Sequence, residues 1–200
     1  YAQGGGTNAS AHNHGIHLVQ SGVISAGGMG NVTINTFGGL STGIRNHGIH
    51  VYNAGSMITS GGGNVYVFGN FTGTYDFDPG PAENNLISSG YNMYIQKLDA
   101  SGNFIWAKQF GEGGSVNFLN AVIKSNGTFL CTGSFFGNAD FDPGPGMQNL
   151  ASPQANAGFI VKLDADAELV WAKQTASSDG TCQGNVINTD TAGNIYLTGP

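Results

Sequence analysis

The stretch FIWAKQ at residues 104–109 returns as LVWAKQ at residues 169–174, an interval of 65 residues, and this recurrence is the strongest indication of the fold. A second stretch, DFDPGP at residues 76–81, returns unchanged at residues 140–145, an interval of 64. Matching strings at a fixed interval are the signature of a repeat architecture, in which each copy packs against the next. The C-terminal two thirds of the chain is therefore predicted to consist of structural repeats.

Each copy of this repeat contains four short runs of strand-forming residues separated by turns. In one copy the runs lie near residues 120–123, 128–133, 159–163 and 169–173. The last two runs are joined by a short turn, which predicts a hairpin. At one position of that turn the earlier copy has Gly102 and the later copy has Ala167. Because a non-glycine residue resists positive φ, we expect the two turns to differ.

Four antiparallel strands per copy, with runs that are apolar on both faces, are typical of the blades of a β-propeller, since each blade lies between two neighbours. Trp106 and Trp171 are then expected to pack between blades. The chain holds most of one blade, a second whole blade and half of a third. A closed ring needs roughly four to eight blades, so we expect an incomplete ring and a chain that is cut at both ends.

The N-terminal third follows a different repeat. The stretch NHGIHL at residues 13–18 returns as NHGIHV at residues 46–51, and GNVTI at residues 30–34 returns as GNVYV at residues 63–67, both at an interval of 33. Short β-rich runs with Gly-rich turns and no helical period favour a β-solenoid-like array of stacked strands. The predicted fold is all-β, with a β-solenoid-like segment over 1–62 before propeller-like blades over 63–200.

Composition supports strands and excludes several kinds of partner. The chain has 34 Gly and only 9% charged residues, against about 25% in ordinary domains, which disfavours surface helices. Its net charge is −6 and Arg45 is the single arginine, so binding of nucleic acid through clustered basic residues is not expected. No run of about 18 apolar residues exists, and we expect no membrane insertion.

Two pairs of aspartates are the candidate metal ligands. Asp76 and Asp78, and equally Asp140 and Asp142, point to one face of a strand or loop and precede a Pro-Gly turn. Carboxylate and turn carbonyl oxygens suit Ca²⁺. The alternative interpretation is structural: the aspartates cap the turn backbone while Phe77 and Phe141 pack inward.

All five histidines lie in the N-terminal segment, at positions 12, 14, 17, 47 and 50. If one repeat forms one turn of chain, His14 stacks on His47 and His17 on His50. Such imidazoles could hold Zn²⁺ or Ni²⁺. A polar ladder is the favoured interpretation, because residues three apart on a strand face opposite sides and no cysteine or carboxylate is nearby.

The acidic residues do not predict an active site. Residues 1–64 contain no Asp, Glu or Lys, so this segment lacks the two carboxylates of a glycosidase. In the remainder most acids recur at repeat positions, which indicates structural use, and Glu112, Asp179 and Asp190 stand as isolated exceptions. We predict that the protein is not an enzyme and has no catalytic residues and no cofactor other than the Ca²⁺ considered above.

Cys131 occupies the repeat position of Val67 and Leu197, which predicts a buried thiol that acts as a small hydrophobic residue. The only other cysteine is Cys182. Two cysteines are too few for a disulfide scaffold, and whether these two pair is left open.

The C-terminal repeats resemble the bacterial β-propeller repeat family known as SBBP-type repeats. The resemblance depends on GNVYV at residues 63–67, on the two DFDPGP loops, on YIQKLD at residues 94–99 and on NFIWAK at residues 103–108. It covers residues 63–200 and implies a propeller fold in a large exported protein of Bacteroidetes-like bacteria, with no catalytic residues to carry over. The N-terminal third is similar to Gly-rich solenoid repeats of bacterial surface proteins and adhesins.

The sequence therefore predicts a secreted or cell-surface repeat protein with a structural or adhesive role. An extracellular glycan or protein is the expected kind of ligand. One alternative is a lectin-like module with Ca²⁺ held at the Asp-Phe-Asp loops. A fragment of a carbohydrate-active enzyme is a third hypothesis, and it requires a carboxylate pair or metal site from further blades.

Overall fold

A computed structural model of the chain shows an all-β architecture. The structure describes residues 63–175 and 182–199 in full, together with the backbone of six short strands before residue 61. Within these residues every regular element is a strand and none is a helix. The all-β class predicted from the sequence is confirmed.

The six short strands pair in parallel at the interval of the N-terminal repeat. They are β1 (Ala2–Gln3), β2 (Ile16–Leu18), β3 (Val23–Ala26), β4 (Val32–Phe37), β5 (Ile49–Val51) and β6 (Met57–Ser60). The pairing of β2 with β5 places Ile16 opposite Ile49, and that of β3 with β6 places Val23 opposite Met57. Residues 33 or 34 apart in the sequence are therefore neighbours on parallel strands.

Three longer strands follow and make up the first copy of the C-terminal repeat. They are β7 (Val65–Asp76), β8 (Asn85–Leu98) and β9 (Phe104–Phe110), in a sheet with the order β1-β4-β7-β8-β9. The start of β7 pairs in parallel with β4, with Val32 opposite Val65. This start is a run of β-branched and aromatic residues, which favour strands, and its side chains are buried. In this sheet β7 thus lies between the parallel strand β4 and the next strand of the first copy, β8.

The second copy is a four-stranded antiparallel sheet in sequence order. Its strands are β10 (Glu112–Ile123), β11 (Phe129–Asp140), β12 (Asn149–Leu163) and β13 (Leu169–Thr175). Neighbours in this order pair antiparallel, including the β12–β13 hairpin. All four runs predicted from the sequence are confirmed as parts of longer strands, apart from Thr128, which lies just before β11.

Two further strands, β14 (Val186–Thr189) and β15 (Ile195–Thr198), form a two-stranded antiparallel sheet. Ile187 lies opposite Leu197 in this sheet, just as Ala121 lies opposite Cys131 between β10 and β11. Both intervals between the equivalent residues are 66. The two strands therefore correspond to the first two strands of a third copy.

The hairpin of β11 and β12 bends in its middle. Phe135 lies opposite Ala157, but the next pair is Gly137 with Ser152, so residues 153–156 leave the ladder. Gly137 has φ of 86°, a conformation that glycine adopts readily and that is common at β-bulges. The equivalent Gly73 of the first copy has φ of 88°, so both copies have a left-handed glycine at this position.

Aromatic and aliphatic side chains from β7 to β14 are buried. The largest fully buried ones are Phe68, Met93, Ile95, Phe110, Phe118, Phe129, Leu130, Phe135, Phe141, Phe159, Leu163 and Ile187. Each contributes about 1.5–3 kcal/mol by burial. Cys131 is also fully buried and unpaired, which confirms the predicted hydrophobic role, and burial raises the pKa of its thiol. Cys182 is half-buried and likewise a free thiol.

The chain divides into two compact units. One comprises Tyr1–Gly69, Asp76–Asn84 and Ile95–Ala107, and the other comprises Asn70–Tyr75, Asn85–Tyr94 and Lys108–Pro200. The division passes through β7 and β8. The boundary between 1–62 and 63–200 rests on the change of sequence repeat, and it stays a prediction.

The expectation that the two β-hairpin turns differ is wrong. In the first copy Gly102 N–H donates to the carbonyl of Asp99 at 3.0 Å, and in the second Ala167 N–H donates to the carbonyl of Asp164 at 3.1 Å. Ala167 adopts a positive φ of 57° while its side chain is fully buried. The turn thus keeps its form despite the left-handed alanine, which costs roughly 1–2 kcal/mol.

Candidate functional site

The loop at residues 76–84, called here the first loop, is organised by its two aspartates. Oδ1 of Asp76 accepts hydrogen bonds from the backbone N–H groups of Asp78 and Asn84, both at 2.9 Å. Oδ1 of Asp78 accepts one from Gly80 N–H at 2.7 Å. The backbone N–H of Asn84, and then that of Asp78, lower the pKa of Asp76 from its usual value.

The loop at residues 140–148, the second loop, repeats this arrangement. Oδ1 of Asp140 accepts from the N–H groups of Asp142 at 3.0 Å and Gln148 at 2.8 Å. Oδ1 of Asp142 accepts from Gly144 N–H at 2.8 Å. Three side-chain hydrogen bonds of one loop thus recur, atom for atom, in the other.

These contacts define what the four aspartates do in the structure. One oxygen of each carboxylate holds the turn backbone, which is the ordinary action of aspartate in Asx-type turns. Ca²⁺ takes six to eight oxygen ligands, and residues 63–175 and 182–199 contain no converging group of three or more His, Cys, Asp or Glu side chains. The calcium site at Asp76, Asp78, Asp140 and Asp142 stays a prediction beside this observed capping role.

The phenylalanine at the centre of each motif turns toward the protein. Phe141 is fully buried, with its ring centroid 5.6 Å from that of Phe135 and 4.8 Å from that of Phe159. Phe159 lies ten residues beyond the start of β12, so the tip of the hairpin folds back on its own sheet. In the first loop Phe77 is half-buried and its carbonyl accepts from the Gln96 side chain at 2.5 Å. Inward packing is thus confirmed fully for Phe141 and in part for Phe77.

An ion pair beside the second loop was not predicted from the sequence. Nζ of Lys108 lies 2.5 Å from a carboxylate oxygen of Glu168. A Cβ placed on Gly144 would lie 3.1 Å from Oδ1 of Asp142 and 3.4 Å from the other Glu168 oxygen. Two acidic side chains, those of Asp142 in the second loop and Glu168 in the β12–β13 turn, therefore lie near Gly144. Because the pair is partly exposed, it contributes about 0.2–1 kcal/mol.

The signal for this ion pair lay in a departure from the repeat. Lys108 recurs as Lys173, but Glu168 occupies the position that Asn103 holds in the first copy. In the first copy the Asn103 side-chain amide donates to Oδ2 of Asp99 at 2.8 Å. The carboxylate of Glu168 has no N–H to donate such a bond, and it pairs with Lys108 instead.

The histidine predictions fall largely outside the described residues. His17 and His50 lie opposite each other in the parallel ladder of β2 and β5, as the stacking hypothesis requires of their backbone. His12, His14 and His47 lie outside the described residues, as do the side chains of all five. A Zn²⁺ or Ni²⁺ site there stays a prediction.

Two of the isolated acidic residues have polar partners. Glu112 accepts a hydrogen bond from the Gln109 side chain at 2.7 Å. Asp190 accepts from the side chains of Asn194 at 2.7 Å and Tyr196 at 3.0 Å, and the Asn194 amide is the largest influence that lowers its pKa. Asp179 lies outside the described residues. Asp190 thus caps the β14–β15 turn in the way that Asp99 caps the β8–β9 turn.

The two tryptophans share their degree of burial, but the lysines near them are not equivalent, since Lys97 lies on the neighbouring strand β8 and Lys173 lies on the same strand as Trp171. Both are half-buried, and each ring has a lysine ammonium near it. Nζ of Lys97 lies 5.7 Å from the centroids of both Trp106 and Tyr66, and Nζ of Lys173 lies 5.6 Å from that of Trp171. Such cation–π contacts contribute about 0.5–1 kcal/mol at exposed sites. Packing of these rings between blades stays a prediction.

Comparison with known proteins adds no family. No protein-family model matches the chain, and no curated protein is significantly similar to it. The described residues contain no apolar helix of membrane-spanning length.

Proposed function

We propose that the chain is a non-enzymatic, exported repeat protein with a structural or adhesive role at a cell surface. The observation that supports this best is the reuse of aspartates as backbone caps. Asp76 and Asp140 each accept two N–H bonds at equivalent positions, and Asp99 and Asp164 do the same in the hairpin turns. Recurring acids that are used in this way maintain the shape of each copy.

The proposed architecture is a β-solenoid-like segment over 1–62 followed by propeller-like blades over 63–200. The parallel ladders at intervals of 33 and 34 residues support the first part. The second part is supported by the four-stranded antiparallel sheet of β10 to β13, whose strands follow sequence order as in a blade. The resemblance to SBBP-type repeats supports the same interpretation.

A surface role fits the composition of the chain. Glycine and uncharged polar residues are abundant, whereas charged residues make up 9%. Such a chain gains stability from ladders between like copies more than from a charged surface with long helices. An extended array of this kind suits spacing or presentation of a binding surface, and an extracellular glycan or protein is the proposed ligand.

Protease treatment of intact cells tests the location. Trypsin added to cells that produce the protein should release peptides of this chain, because Lys173 is exposed on β13. A cytosolic marker in the same sample should stay uncut, and lysed cells provide the positive control. Release only after lysis would overturn the proposed surface location.

Attachment and hydrolysis assays test the role. Cells that lack the chain should attach less well to surfaces coated with glycans or matrix proteins than cells that carry it. The purified chain should release no reducing ends from a panel of polysaccharides. Release that is abolished by Glu112→Gln would show an active site and would refute the non-enzymatic assignment.

A further inference from the structure

The turn between β10 and β11 contains the one asparagine of the chain that is followed by glycine. This pair is Asn126–Gly127, and the Asn126 side chain is exposed at the tip of the hairpin. Because glycine has no side chain to shield its backbone nitrogen, that nitrogen can reach the amide carbon of the preceding asparagine. The Asn126–Gly127 pair is therefore chemically distinct from every other asparagine position in the chain.

The fold requires glycine at position 127 for two reasons. Gly127 has φ of 84°, a conformation that glycine adopts readily. A Cβ at this position would lie 2.8 Å from the Cβ of Ala165 in the β12–β13 turn, well inside the roughly 3.5–4.0 Å at which two carbons pack. A larger residue, which would shield the nitrogen, is therefore disfavoured by the packing of the turn.

The hydrogen bonds of the turn hold the Asn126 side chain beside the glycine. Oδ1 of Asn126 accepts from the backbone N–H of Thr128 at 3.1 Å, which keeps the carboxamide on the C-terminal side of its own residue. The same N–H faces the oxygen that becomes negative when the amide carbon is attacked, as a donor of an oxyanion hole does. Gly127 N–H donates to the carbonyl of Lys124 at 2.9 Å, so attack requires this bond to open. Exposed turns open locally at low free energy.

We propose that Asn126 is a self-modification site, which the chain converts to aspartate or isoaspartate with water as the only co-reactant. Hydroxide removes the proton of the Gly127 nitrogen, and this nitrogen attacks Cγ of Asn126. The carboxamide C–N bond breaks, and ammonia leaves with a proton from water, which restores the hydroxide. Water then opens the five-membered imide at either of its two carbonyl groups. The net change is the exchange of one amide nitrogen for oxygen, without oxidation or reduction.

The third copy shows that the turn keeps its form without the asparagine. Ala192 and Gly193 stand there at the positions of Asn126 and Gly127. Gly193 has φ of 91°, and its N–H donates to the carbonyl of Asp190 at 3.2 Å. The turn thus depends on the glycine and not on the reactive amide, so Asn126→Ala is a matched control with the residue of the third copy.

The two products affect the hairpin differently. Aspartate adds one negative charge to an exposed turn and keeps an oxygen that can accept from Thr128 N–H. Isoaspartate also inserts one carbon into the main chain, between the two residues whose bond closes the hairpin, Lys124 N–H to the carbonyl of Thr128 at 2.9 Å. The isoaspartate form should therefore lose pairing at the start of β11. This inference goes beyond the proposed surface role and does not depend on it.

Incubation of the full 200-residue chain in mildly alkaline buffer, followed by peptide mapping, tests the site. The tryptic peptide of residues 125–162 should gain the mass of an amide-to-acid exchange before any other peptide, in proportion to hydroxide concentration, and fragmentation should place the gain at position 126. The Asp179–Gly180 step can close the same ring, but it loses water and so gives no mass gain. First conversion at another asparagine would overturn the proposal. So would an unchanged position 126 when a free peptide of residues 121–132 is fully converted.

The product ratio and two variants test the mechanism. Only the imide leads to isoaspartate, so aspartate without isoaspartate would show direct hydrolysis and refute attack by Gly127. Asn126→Ala should abolish the mass gain and keep the thermal midpoint. Asn126→Gln should slow the conversion at least about tenfold, because a six-membered imide closes less readily. An unchanged rate for Asn126→Gln would contradict the ring closure.

Discussion

Replacement of Phe141 by alanine tests the fold-back of the second loop. The ring is fully buried and contacts Phe135 and Phe159, although it belongs to a loop at the tip of a long hairpin. If the tip folds back as described, Phe141 is part of the core. The substitution should then destabilise the chain as a core substitution does.

The expected loss is large for a loop residue. A buried phenylalanine replaced by alanine costs about 3–5 kcal/mol, and each aromatic pair adds about 0.5–1.5 kcal/mol within such totals. The matched control is Phe77→Ala at the equivalent position of the first loop. Phe77 is half-buried, so this variant should lose only about 1–2 kcal/mol.

Urea unfolding followed by tryptophan fluorescence measures both losses. The midpoint shift multiplied by the slope gives the change in free energy of unfolding. Phe141→Leu, which keeps most of the apolar volume, should fall between the original chain and Phe141→Ala. Equal losses for Phe77→Ala and Phe141→Ala, or a loss below about 1 kcal/mol for Phe141→Ala, would show that the second loop is not anchored in the core.

Three further outcomes are expected. Gly102→Ala should lower the free energy of unfolding by about 1–2 kcal/mol, because Gly102 has φ of 86°. Ala167→Gly should change that free energy by less than about 1 kcal/mol, since the relief of backbone strain is offset by the loss of a buried methyl group. Equal losses for the two variants in urea unfolding would contradict this. Ca²⁺ should leave the thermal midpoint unchanged, with or without EDTA, if capping is the only role of the loop aspartates, and a calcium-induced rise that Asp140→Asn removes would establish the metal site. The side-chain amides of Asn103 and Asn194 hold the pKa of Asp99 and Asp190 below the usual value. The stability that these two carboxylates contribute is therefore present above the unfolded pKa of about 3.9 and is lost as pH falls through the lower folded pKa. The thermal midpoint of the double variant Asp99→Asn and Asp190→Asn should accordingly depend less on pH below 4 than that of the original chain.

The strands and the pairing of neighbouring strands could be predicted, because both follow from residue patterns and repeat intervals in the sequence. Runs such as FIVKL and LVWAK have the residues and spacing of strands, and the short turn between them leaves a hairpin as the simplest connection. Recurrence at 33 residues likewise predicted which parallel strands become neighbours, as Ile16 and Ile49 show. Periodicity specifies neighbours without any knowledge of side-chain contacts.

The fold-back of the loops and the ion pair depended on information that no local pattern holds. The bend of the β11–β12 hairpin follows from the left-handed Gly137 and from the four residues that leave the ladder. A glycine within a predicted strand does not indicate the direction in which the strand bends. At Ala167 a local pattern led to a wrong prediction. Alanine disfavours positive φ, yet the hydrogen bonds of the turn outweighed this preference. Lys108 and Glu168 are 60 residues apart. The one sequence signal for their ion pair is that Glu168 stands at the repeat position of Asn103.

The double pairing of β7 has a consequence for how such chains are assembled. One edge of its first residues accepts a parallel strand, β4, while its sheet continues on the other side into β8 and β9. The strand β7 therefore pairs with a strand of the 33-residue repeats and also begins the 65-residue repeats, so the two repeat types follow each other without a separate linker. A genetic exchange that breaks the chain just before Val65 could place a different number of N-terminal sequence repeats ahead of the same C-terminal copies, provided that the incoming repeat ends in a strand with the register of β4.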